Sequence, residues 1–252
     1  MTKRPLTILT GASRGMGLAM AQQLLVAGHD LLTLSRKTND ALAEQATQAG
    51  RRCEQWPQDL ARGEVAAAML ETWLRGQDEG SLDSVTLINN AGLLPRIAPI
   101  DDIPSAQLAE AMRVDLEAPM MLTSAFLRAT GNWRVPRKVL NISSGLGRRP
   151  MAAQAAYCAA KAGLDHFTRC VALEQAALPN GARVCSLAPG VIDTDMQVQL
   201  RGADGSRFPE RATFEGLKQK GHLTAPGDAA ARVLAYLQRT DFGDNAVADV
   251  RD

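Results

Sequence analysis

The sequence lacks a charge excess, a long apolar run and a signal peptide. Its 28 lysines and arginines are balanced by 27 aspartates and glutamates, for a formal net charge of +1. A nearly neutral chain has no overall field to attract nucleic acid or an anionic membrane surface, so we expect neither as a partner. No apolar run approaches the roughly 18 residues that span a bilayer, and the apolar part of MTKRPLTILTGAS is too short for a signal peptide. These absences predict a cytoplasmic protein.

Metal-binding patterns are also missing. The four cysteines are scattered without a CxxC pair, and the three histidines stand apart from one another. Scattered thiols of this kind are typical of a reducing compartment, and the spacing predicts no metal site. Hydrophobic residues nevertheless make up 46% of the 252 residues. That share is sufficient for one sizeable core, so we expect a single domain over residues 1–252.

What the sequence does contain is a regular alternation of short β-like runs and longer helical patterns. The predicted strands are Leu6–Leu9, Leu31–Leu34, Cys53–Trp56, Val85–Ile88, Lys138–Ile142, Val184–Leu187 and Ala246–Val250. The predicted helices are Gly15–Ala27, Asp40–Ala49, Glu64–Leu74, Ser105–Ala129, Ala153–Ala177 and Asp228–Arg239. Such alternation is typical of parallel βαβ units. We therefore predict an α/β fold, a Rossmann-type doubly wound parallel sheet of about seven strands with helices on both faces.

Glycines and one irregular stretch mark where the chain leaves these elements. Gly28, Gly50 and Gly181 follow helical patterns, where a glycine in the left-handed conformation commonly ends a helix. Residues 191–224 are rich in Gly, Arg and Gln and show no clear periodicity. Because irregular connections of this length are usually functional, we predict a substrate-binding loop at about 191–224.

The stretch TGASRGMG, residues 10–17, lies between the first predicted strand and the first predicted helix. A glycine-rich turn in that place directs backbone N–H groups and a helix N-terminus at an anion. Gly11 permits the tight turn, Gly15 lets a pyrophosphate approach the backbone, and Gly17 lets the helix lie close to the sheet. The stretch therefore predicts a dinucleotide site, with a plain strand-to-helix turn as the alternative. The other predicted cofactor-binding residues of the loop are Ser13, Arg14 and Met16.

The residues after the second predicted strand indicate which dinucleotide is bound. An NAD site has an acidic side chain there, which accepts a hydrogen bond from the ribose 2′-hydroxyl. This chain has Ser35, Arg36 and Lys37 instead, and Arg14 adds a guanidinium from the glycine loop. Because a guanidinium matches a 2′-phosphate in bidentate geometry, Ser35, Arg36 and Arg14 favour NADP. Ordinary surface arginines are the alternative.

A set of motifs in one order resembles the short-chain dehydrogenase/reductase family over nearly the whole chain. They are T-G-x-x-x-G-x-G at Thr10–Gly17, Asp59–Leu60 after the third strand, NNAG at Asn89–Gly92, Ser144 thirteen residues before Tyr157, the Y-x-x-x-K of Tyr157 and Lys161, and PGVIDT at Pro189–Thr194. Each motif alone is modest, and their shared order carries the resemblance. PGVIDTDMQVQLR and the ending NAVADVRD are similar to the sepiapterin reductase and benzil reductase branch, although the usual final DGG is missing.

The resemblance implies a cofactor site, a reaction and an assembly. Members of that branch reduce ketones and vicinal dicarbonyls with NADPH. The implied cofactor contacts beyond the glycine loop are Asp59, Leu60, Asn90, Ala91, Gly92, Tyr157, Lys161, Pro189, Gly190, Ile192 and Thr194. The family also implies a homodimer or homotetramer, in which the helices predicted at Ser105–Ala129 and Ala153–Ala177 form a bundle. Asn89 and Asn90 are expected to tie neighbouring strands together rather than to touch substrate.

Reduction of a ketone leaves an alkoxide that needs a proton, so the site requires an acid beside the carbonyl oxygen. Positions four apart lie on one helical face, so Lys161 comes beside Tyr157. Its charge, with that of the oxidised nicotinamide, is expected to lower the pKa of the Tyr157 phenol. Ser144, at the end of the fifth strand, is predicted to donate to the same substrate oxygen. The adjacent Ser143, or a plain core role for Tyr157, is the alternative.

One position departs from the family pattern. The segment MRVDLEAP places Asp115 where the family has a catalytic asparagine on the long helix. A carboxylate has nearly the shape of the amide and can still hold the water through which protons reach Lys161, so we predict Asp115 as the fourth catalytic residue. Its negative charge is expected to weaken the effect of Lys161 on Tyr157. The substitution thus predicts an altered pH dependence rather than a loss of activity.

The sequence favours an NADPH-dependent reductase of a small ketone or dicarbonyl, with Tyr157 as general acid. The same residues support the reverse reaction, in which an alcohol is oxidised. Because Asp115 replaces a catalytic residue of the family, a catalytically impaired NADP-binding regulatory protein is a further alternative. Arg148 and Arg149 are interpreted as part of a solvated loop, with contacts to an acidic substrate as the other possibility.

Overall fold

The computed structural model describes residues 3–252, which form one parallel sheet of seven strands. The strands are β1 (Arg4–Thr10), β2 (Asp30–Ser35), β3 (Cys53–Pro57), β4 (Leu82–Asn89), β5 (Arg137–Ile142), β6 (Arg183–Ala188) and β7 (Val247–Asp249). Their order across the sheet is β3-β2-β1-β4-β5-β6-β7, and every neighbouring pair is parallel. The prediction of a doubly wound parallel sheet is confirmed.

Helices cover both faces of this sheet, as the sequence predicts. They are α1 (Gly15–Val26), α2 (Asp40–Gln48), α3 (Gly63–Arg75), α4 (Ser105–Met112), α5 (Ala118–Thr130), α6 (Ala155–Ala176), α7 (Asp195–Gly202), α8 (Arg211–Gln219) and α9 (Pro226–Gln238). One core layer lies between the sheet and α3, α5 and α6, and a second lies between the sheet and α1, α2 and α9. Alternate residues of a strand point to opposite faces. Leu6 and Ile8 therefore enter the first layer and Leu9 the second.

The chain order reverses between β1 and β4. From β1 the chain proceeds outward through β2 and β3, then returns to β4 on the other side of β1. In open parallel sheets this reversal leaves a crevice at the carboxyl ends of the strands, where ligands bind. Gly11, Asn90, Ser144 and Gly190 all lie just beyond those carboxyl ends. The fold thus brings four separate motifs of the sequence to one edge of the sheet.

The long helix predicted over Ser105–Ala129 is interrupted in the structure. One turn of π-helix, Arg113–Glu117, separates α4 from α5. Pro119 has no N–H with which to bond the carbonyl four positions earlier, and the N–H of Ala118 instead donates to the carbonyl five positions back. The wider turn contains Asp115, and single π-turns inside helices are frequent at functional sites.

The stretch 191–224 is not irregular throughout, because it contains α7 and α8. Its two ends lie together, since Ile192 pairs with Thr224 in a parallel bridge. Within it the rings of Phe208 and Phe214 stack with their centroids 5.7 Å apart. The sequence prediction missed both helices because each is short and buries only one or two side chains, so the apolar period is weak.

Two of the three predicted glycine caps are confirmed. Gly28 and Gly50 follow α1 and α2 with φ angles of 91° and 63°. Gly181 is outside the left-handed region, so that prediction is wrong. A Cβ atom on Gly181 would instead collide with the carbonyl oxygen of Gln175. Glycine is therefore required there by the close approach of two backbone segments.

Candidate active site

The glycine loop follows β1 and leads into α1. Gly11 has a φ of 72°, and a Cβ atom there would lie 2.9 Å from the Cα of Ala91. A Cβ on Gly17 would collide with the carbonyl oxygen of Gly11, so α1 lies close to the sheet. In the described part of the chain, no side chain caps the start of α1. The first N–H groups of this helix are thus available to an anion in the crevice.

The three residues predicted to select the nucleotide differ in their surroundings. Ser35 is buried, and its Oγ accepts a hydrogen bond from the N–H of Ala12 at 2.8 Å, so this side chain supports the glycine loop. Arg36 is exposed at the end of β2. Arg14 is also exposed, and its guanidinium forms an ion pair with Asp195 at the start of α7. The loop is therefore linked to the 191–224 stretch through Arg14.

The remaining predicted nucleotide contacts surround the same loop. The Oδ1 of Asp59 accepts a hydrogen bond from the N–H of Ala61 at 3.0 Å and caps a short turn after β3. Leu60 in that turn is buried. The side chain of Met16 belongs to the core beneath α1, whereas Ser13 is partly exposed. Met16 can therefore offer only its backbone to a ligand.

The two asparagines after β4 tie strands together. The Nδ2 of Asn90 donates to the carbonyl oxygens of Thr10 at 2.9 Å and Gly11 at 3.2 Å. The Oγ1 of Thr10 in turn accepts hydrogen bonds from the N–H groups of Asn90 and Ala91, both at 2.9 Å. Asn89 donates to Oδ1 of Asn141 on β5 at 2.8 Å. These bonds hold the carboxyl ends of β1, β4 and β5 in register.

The turn Pro189–Thr194 follows β6 and lies against the glycine loop. Gly190 has a φ of 84°, and a Cβ atom on Gly15 would lie 3.7 Å from Cγ2 of Thr194. Thr194 immediately precedes α7. The predicted nicotinamide-side turn and the predicted phosphate-side loop therefore contact each other across the crevice.

Three predicted catalytic side chains lie together at the carboxyl end of β5. The Ser144 side chain lies close enough to Tyr157 to lower the pKa of its phenol, and the Oγ of Ser144 accepts a hydrogen bond from the N–H of Leu146 at 3.1 Å. The buried Nζ of Lys161 is 5.7 Å from the centroid of the Tyr157 ring. It donates to the carbonyl oxygen of Ile142 at 3.0 Å. Both partners of Tyr157 are thus fixed by backbone groups of β5 and the turn after it.

The neighbouring Ser143 has different contacts. It is buried, and its Oγ has no hydrogen-bond partner within residues 3–252. The side chain that acts on the Tyr157 phenol belongs to Ser144, which is partly exposed. Of the two adjacent serines, Ser144 is therefore the one that reaches the tyrosine.

The pKa of the Tyr157 phenol lies above its usual value. Burial is the largest cause, the negative charge of Asp115 acts in the same direction, and the Ser144 side chain opposes both. The expectation of a lowered pKa included the charge of the oxidised nicotinamide; in the protein chain by itself burial raises this pKa. A phenol with a raised pKa carries its proton at neutral pH.

Asp115 is fully buried in the π-helical turn. Its Oδ1 accepts a hydrogen bond from the N–H of Leu93 at 2.9 Å, while its Oδ2 has no partner among the described residues. Burial raises the pKa of this carboxyl to about 6, and the charge of Lys161 partly opposes that rise. A Cβ on Gly92 would lie 2.9 Å from Oδ1 of Asp115 and 3.7 Å from Nζ of Lys161. Both groups therefore border the backbone at Gly92.

Arg148 is exposed, in line with its interpretation as part of a solvated loop, but its guanidinium is bound to other groups of the chain. Its Nε donates to Oδ2 of the buried Asp165 at 3.2 Å, and its Nη2 donates to the carbonyl oxygen of Ala248 at 2.7 Å. Arg149 is exposed. Asp165 was not among the predicted site residues, although its position four residues after Lys161 places both on one face of α6.

Within residues 3–252, none of the helices combines the length and hydropathy that a membrane-spanning segment needs. The same residues contain no cluster of three or more His, Cys, Asp or Glu side chains that could hold a metal ion.

The chain is similar to several known oxidoreductases. The family model described as short chain dehydrogenase matches residues 6–204. A benzil reductase ((S)-benzoin forming) from Bacillus cereus is 35% identical over 240 residues, which cover 95% of this chain and 96% of that protein. Sepiapterin reductase from Bos taurus is 33% identical over 265 residues, covering 99% and 95%. A 3-oxoacyl-(acyl-carrier protein) reductase from Brucella melitensis, solved with NAD, has a TM-score of 0.82 at 25% identity over 99% of this chain and 96% of that one. Other similar structures were solved with NADP.

Proposed function

The chain belongs to the short-chain dehydrogenase family of oxidoreductases, and we propose that it reduces a small ketone or dicarbonyl to an alcohol with NADP(H), using Tyr157 as general acid. The observation that carries this proposal is the contact of Ser144, Tyr157 and Lys161 beside the glycine loop. An acid, a second hydrogen-bond donor and a cation then surround one position in the crevice. That set matches the needs of an oxygen on which negative charge develops.

The residues in the crevice fit a nicotinamide dinucleotide. The start of α1 lacks a side-chain cap, and the glycine loop allows a ligand to approach its backbone, so both suit a pyrophosphate. In our proposal Asp59 and Leu60 contact the adenine, while Lys161 and the Pro189–Thr194 turn hold the nicotinamide riboside. When bound, the reduced cofactor supplies a hydride to the substrate carbonyl carbon.

The charges near β2 support NADP rather than NAD. Arg36 is exposed directly after β2, and no carboxylate follows that strand in Ser35–Lys37. An exposed guanidinium suits a 2′-phosphate, whereas the 2′-hydroxyl of NAD needs an acceptor. Because Arg14 is paired with Asp195, we assign Arg36 the larger part of phosphate recognition.

In the proposed mechanism Tyr157 protonates the substrate oxygen. Burial raises the pKa of its phenol, so the proton is present when the reaction begins. Ser144 donates a second hydrogen bond to the same oxygen and stabilises the charge that develops there. The Nζ of Lys161, fixed by the carbonyl of Ile142, favours the phenolate that remains after the transfer.

Proton resupply is the role proposed for Asp115. Its Oδ2 is buried and has no partner among residues 3–252, so this oxygen can accept a hydrogen bond from a water molecule on the path to Lys161. The raised pKa of the carboxyl, about 6, allows it to hold a proton in mildly acidic solution. Asp115 thus acts on the substrate only through Lys161 and Tyr157.

The raised pKa of Tyr157 keeps the resting phenol in the protonated form with which reduction begins. Oxidation requires a phenolate to accept the proton of the alcohol, and burial together with the charge of Asp115 disfavours that phenolate. The complete Ser144–Tyr157–Lys161 group argues against a regulatory protein without turnover. Reduction therefore remains the function that the site supports best.

We propose the substrate class from the similar proteins and from the residues that cover the site. The similar benzil reductase and sepiapterin reductase act on carbonyl compounds, according to their names. Residues 191–224 contribute an apolar cluster in which Leu200, Phe208 and Phe214 pack with Ala153, which lies just before α6. We propose that this stretch covers an apolar ketone or dicarbonyl bound beside Tyr157.

The experiment that tests this function follows the loss of NADPH absorbance with a panel of vicinal dicarbonyls, benzil among them. We expect turnover by the native protein and its loss in Tyr157→Phe, which removes only the acidic hydroxyl. NADPH binding, followed by its fluorescence, is expected to persist in that variant. Tyr236, the other tyrosine of the chain, provides the matched control Tyr236→Phe, which should keep its activity. An equally active Tyr157→Phe protein rules the mechanism out.

The cofactor preference is tested separately at Arg36. Replacing Arg36 by Ala removes a charge-assisted contact to the 2′-phosphate, which is worth enough to lower NADPH affinity about 10- to 100-fold. NADH affinity should stay unchanged, because NADH lacks that phosphate. Arg149→Ala, an exposed arginine elsewhere on the surface, is the control. Equal losses for both nucleotides would show that Arg36 does not select NADPH.

A further inference from the structure

The turn that carries Ser144 is short and is held mainly by its own backbone. Ser144 caps a single helical turn, Gly145–Gly147, and the N–H of Gly147 donates to the carbonyl of Ser144 at 3.0 Å. Arg148 ends that turn, with its N–H donating to the carbonyl of Gly145 at 3.1 Å. The contacts of Arg148 add to those that hold this turn against the sheet and α6.

Arg148 joins the Ser144 turn to two other elements. Its Nε donates to Oδ2 of Asp165 on α6 at 3.2 Å, and its Nη2 donates to the carbonyl of Ala248 on β7 at 2.7 Å. α6 is the helix that carries Tyr157 and Lys161. The Arg148 guanidinium thus connects the turn that carries Ser144, the helix that carries Tyr157 and the edge strand of the sheet.

Asp165 is held in place independently of Arg148. Its side chain is buried, and its Oδ1 accepts a hydrogen bond from Oγ of Ser186 on β6 at 2.6 Å. With Arg148 on Oδ2, both carboxylate oxygens have partners. A buried carboxylate fixed at both oxygens is a rigid anchor, since moving it would leave a charge without hydrogen bonds.

The turn also lies directly against α6. A Cβ atom on Gly147 would be 3.0 Å from the carbonyl oxygen of Lys161 and 3.1 Å from Oδ2 of Asp165. A side chain larger than that of glycine would crowd both atoms, and its neighbours would have to shift by a few tenths of an ångström. The turn and the helix therefore approach each other at the level of Lys161, and a shift of either one changes the distance between Ser144 and Tyr157.

We infer that Arg148 and Asp165 are a pair of positioning residues that set the Ser144 hydroxyl against the Tyr157 phenol. This inference rests on the proposed function for its kinetic consequences. The pair does not contact the substrate. It fixes the relative position of two groups on different elements, and small displacements of reacting groups can lower the rate about 100-fold.

The test uses Arg148→Gln, with Arg148→Lys as a milder second variant. We expect kcat for a dicarbonyl to fall about 10- to 100-fold in Arg148→Gln, with KM and NADPH affinity little changed. Arg148→Lys keeps the charge beside Asp165 and should recover part of the loss. A second readout needs no turnover: the chain has two tyrosines, so ¹³C labelling of the ring carbon bonded to oxygen gives two signals. The Tyr157 signal should move in Arg148→Gln, and the Tyr236 signal should not.

The matched control is Arg183→Gln at the start of β6. Arg183 also donates to two carbonyls, those of Thr240 and Phe242, and pairs with Asp244, but it lies at the opposite end of the sheet from Ser144. This variant should leave kcat and the Tyr157 signal unchanged. An unchanged Tyr157 signal, or an unchanged kcat, in folded Arg148→Gln or Arg148→Lys overturns the inference, as does an equal loss in Arg183→Gln. If the native protein reduces no carbonyl, the proposed function fails, and the NMR signal still decides the role of the pair.

Discussion

Two buried aspartates lie beside the candidate active site, and they differ in what their carboxylate oxygens contact. Asp165 accepts hydrogen bonds at both oxygens, from Oγ of Ser186 at 2.6 Å and from Nε of Arg148 at 3.2 Å. Asp115 accepts from the N–H of Leu93 at 2.9 Å, and its Oδ2 is buried without a partner among residues 3–252. The two aspartates are similarly buried, but hydrogen bonds compensate the charge of Asp165 at both oxygens and that of Asp115 at only one. Burying the charge of Asp115 therefore costs more free energy.

This difference separates a structural role from a chemical one. A buried carboxylate with a cation and full hydrogen bonding costs much to disrupt, so Asp165 is suited to hold elements in place. A buried carboxylate with an unpartnered oxygen is costly to keep and calls for an explanation in the native protein. For Asp115 the explanation that we propose is its effect on the protons of Lys161 and Tyr157. The comparison therefore predicts that replacement by asparagine has opposite effects on stability at the two positions.

The largest loss of stability is expected for Asp165→Asn. The amide oxygen of asparagine can accept from only one of the two donors, Oγ of Ser186 and Nε of Arg148, and the guanidinium loses its counter-charge. We expect the free energy of unfolding to fall by about 3 kcal/mol, the lower end of the cost of breaking a buried pair, because the Arg148 side chain is 31% exposed. Urea denaturation at neutral pH measures this change.

The control for Asp165→Asn is an ion pair on the surface. Asp244 pairs with Arg183, and the two side chains are 62% and 49% exposed. Asp244→Asn should change the free energy of unfolding by no more than about 0.5 kcal/mol. If Asp165→Asn is equally mild, the claim that Asp165 anchors the Ser144 turn loses its basis.

The features that the sequence could predict depend on residues that are close together in the chain. Apolar runs and glycine turns mark the strands, the glycine loop and the carboxyl ends where the site lies, because each depends on neighbouring residues. The spacing of Tyr157 and Lys161 likewise placed them on one helical face, where the structure has them. Asp115 was singled out through the family pattern alone.

The features that the sequence could not predict depend on contacts between segments that are far apart in the chain. Arg148 bonds the carbonyl of Ala248, which is 100 positions later in the chain, and nothing near Arg148 in the sequence indicates β7 as its neighbour. The raised pKa of Tyr157 likewise depends on burial, which the helical spacing of Tyr157 and Lys161 does not reveal. The π-turn at Asp115 does have a local signal, because Pro119 lacks a backbone N–H. The apolar residues around Pro119 nevertheless follow a helical pattern, which by itself predicts an uninterrupted helix.

A change of similar size and opposite sign is expected for Asp115→Asn. The pKa of Asp115 is about 6 in the folded protein against an ordinary value of 3.8, so the folded state binds this proton more tightly than the unfolded state. The free energy of unfolding therefore falls as the pH rises from about 4 to about 6, and the loss is complete above that range. Asparagine does not titrate, so the variant should be more stable than the native protein by about 3 kcal/mol near neutral pH and about equal in stability near pH 4. Urea denaturation across this range tests the prediction, and a variant less stable at neutral pH would contradict it.

The smallest effect concerns the pH dependence of the reaction. The charge of Asp115 is the second cause of the raised pKa of Tyr157, so Asp115→Asn should lower that pKa and keep activity. The pH–rate profiles of dicarbonyl reduction and of alcohol oxidation should both shift to lower pH, because the acid and the base are the same phenol. Asp244→Asn, which removes an exposed carboxylate far from the site, is the control and should leave both profiles in place. If the profiles of Asp115→Asn match those of the native protein, Asp115 does not act on Tyr157, and its unpartnered oxygen requires another explanation.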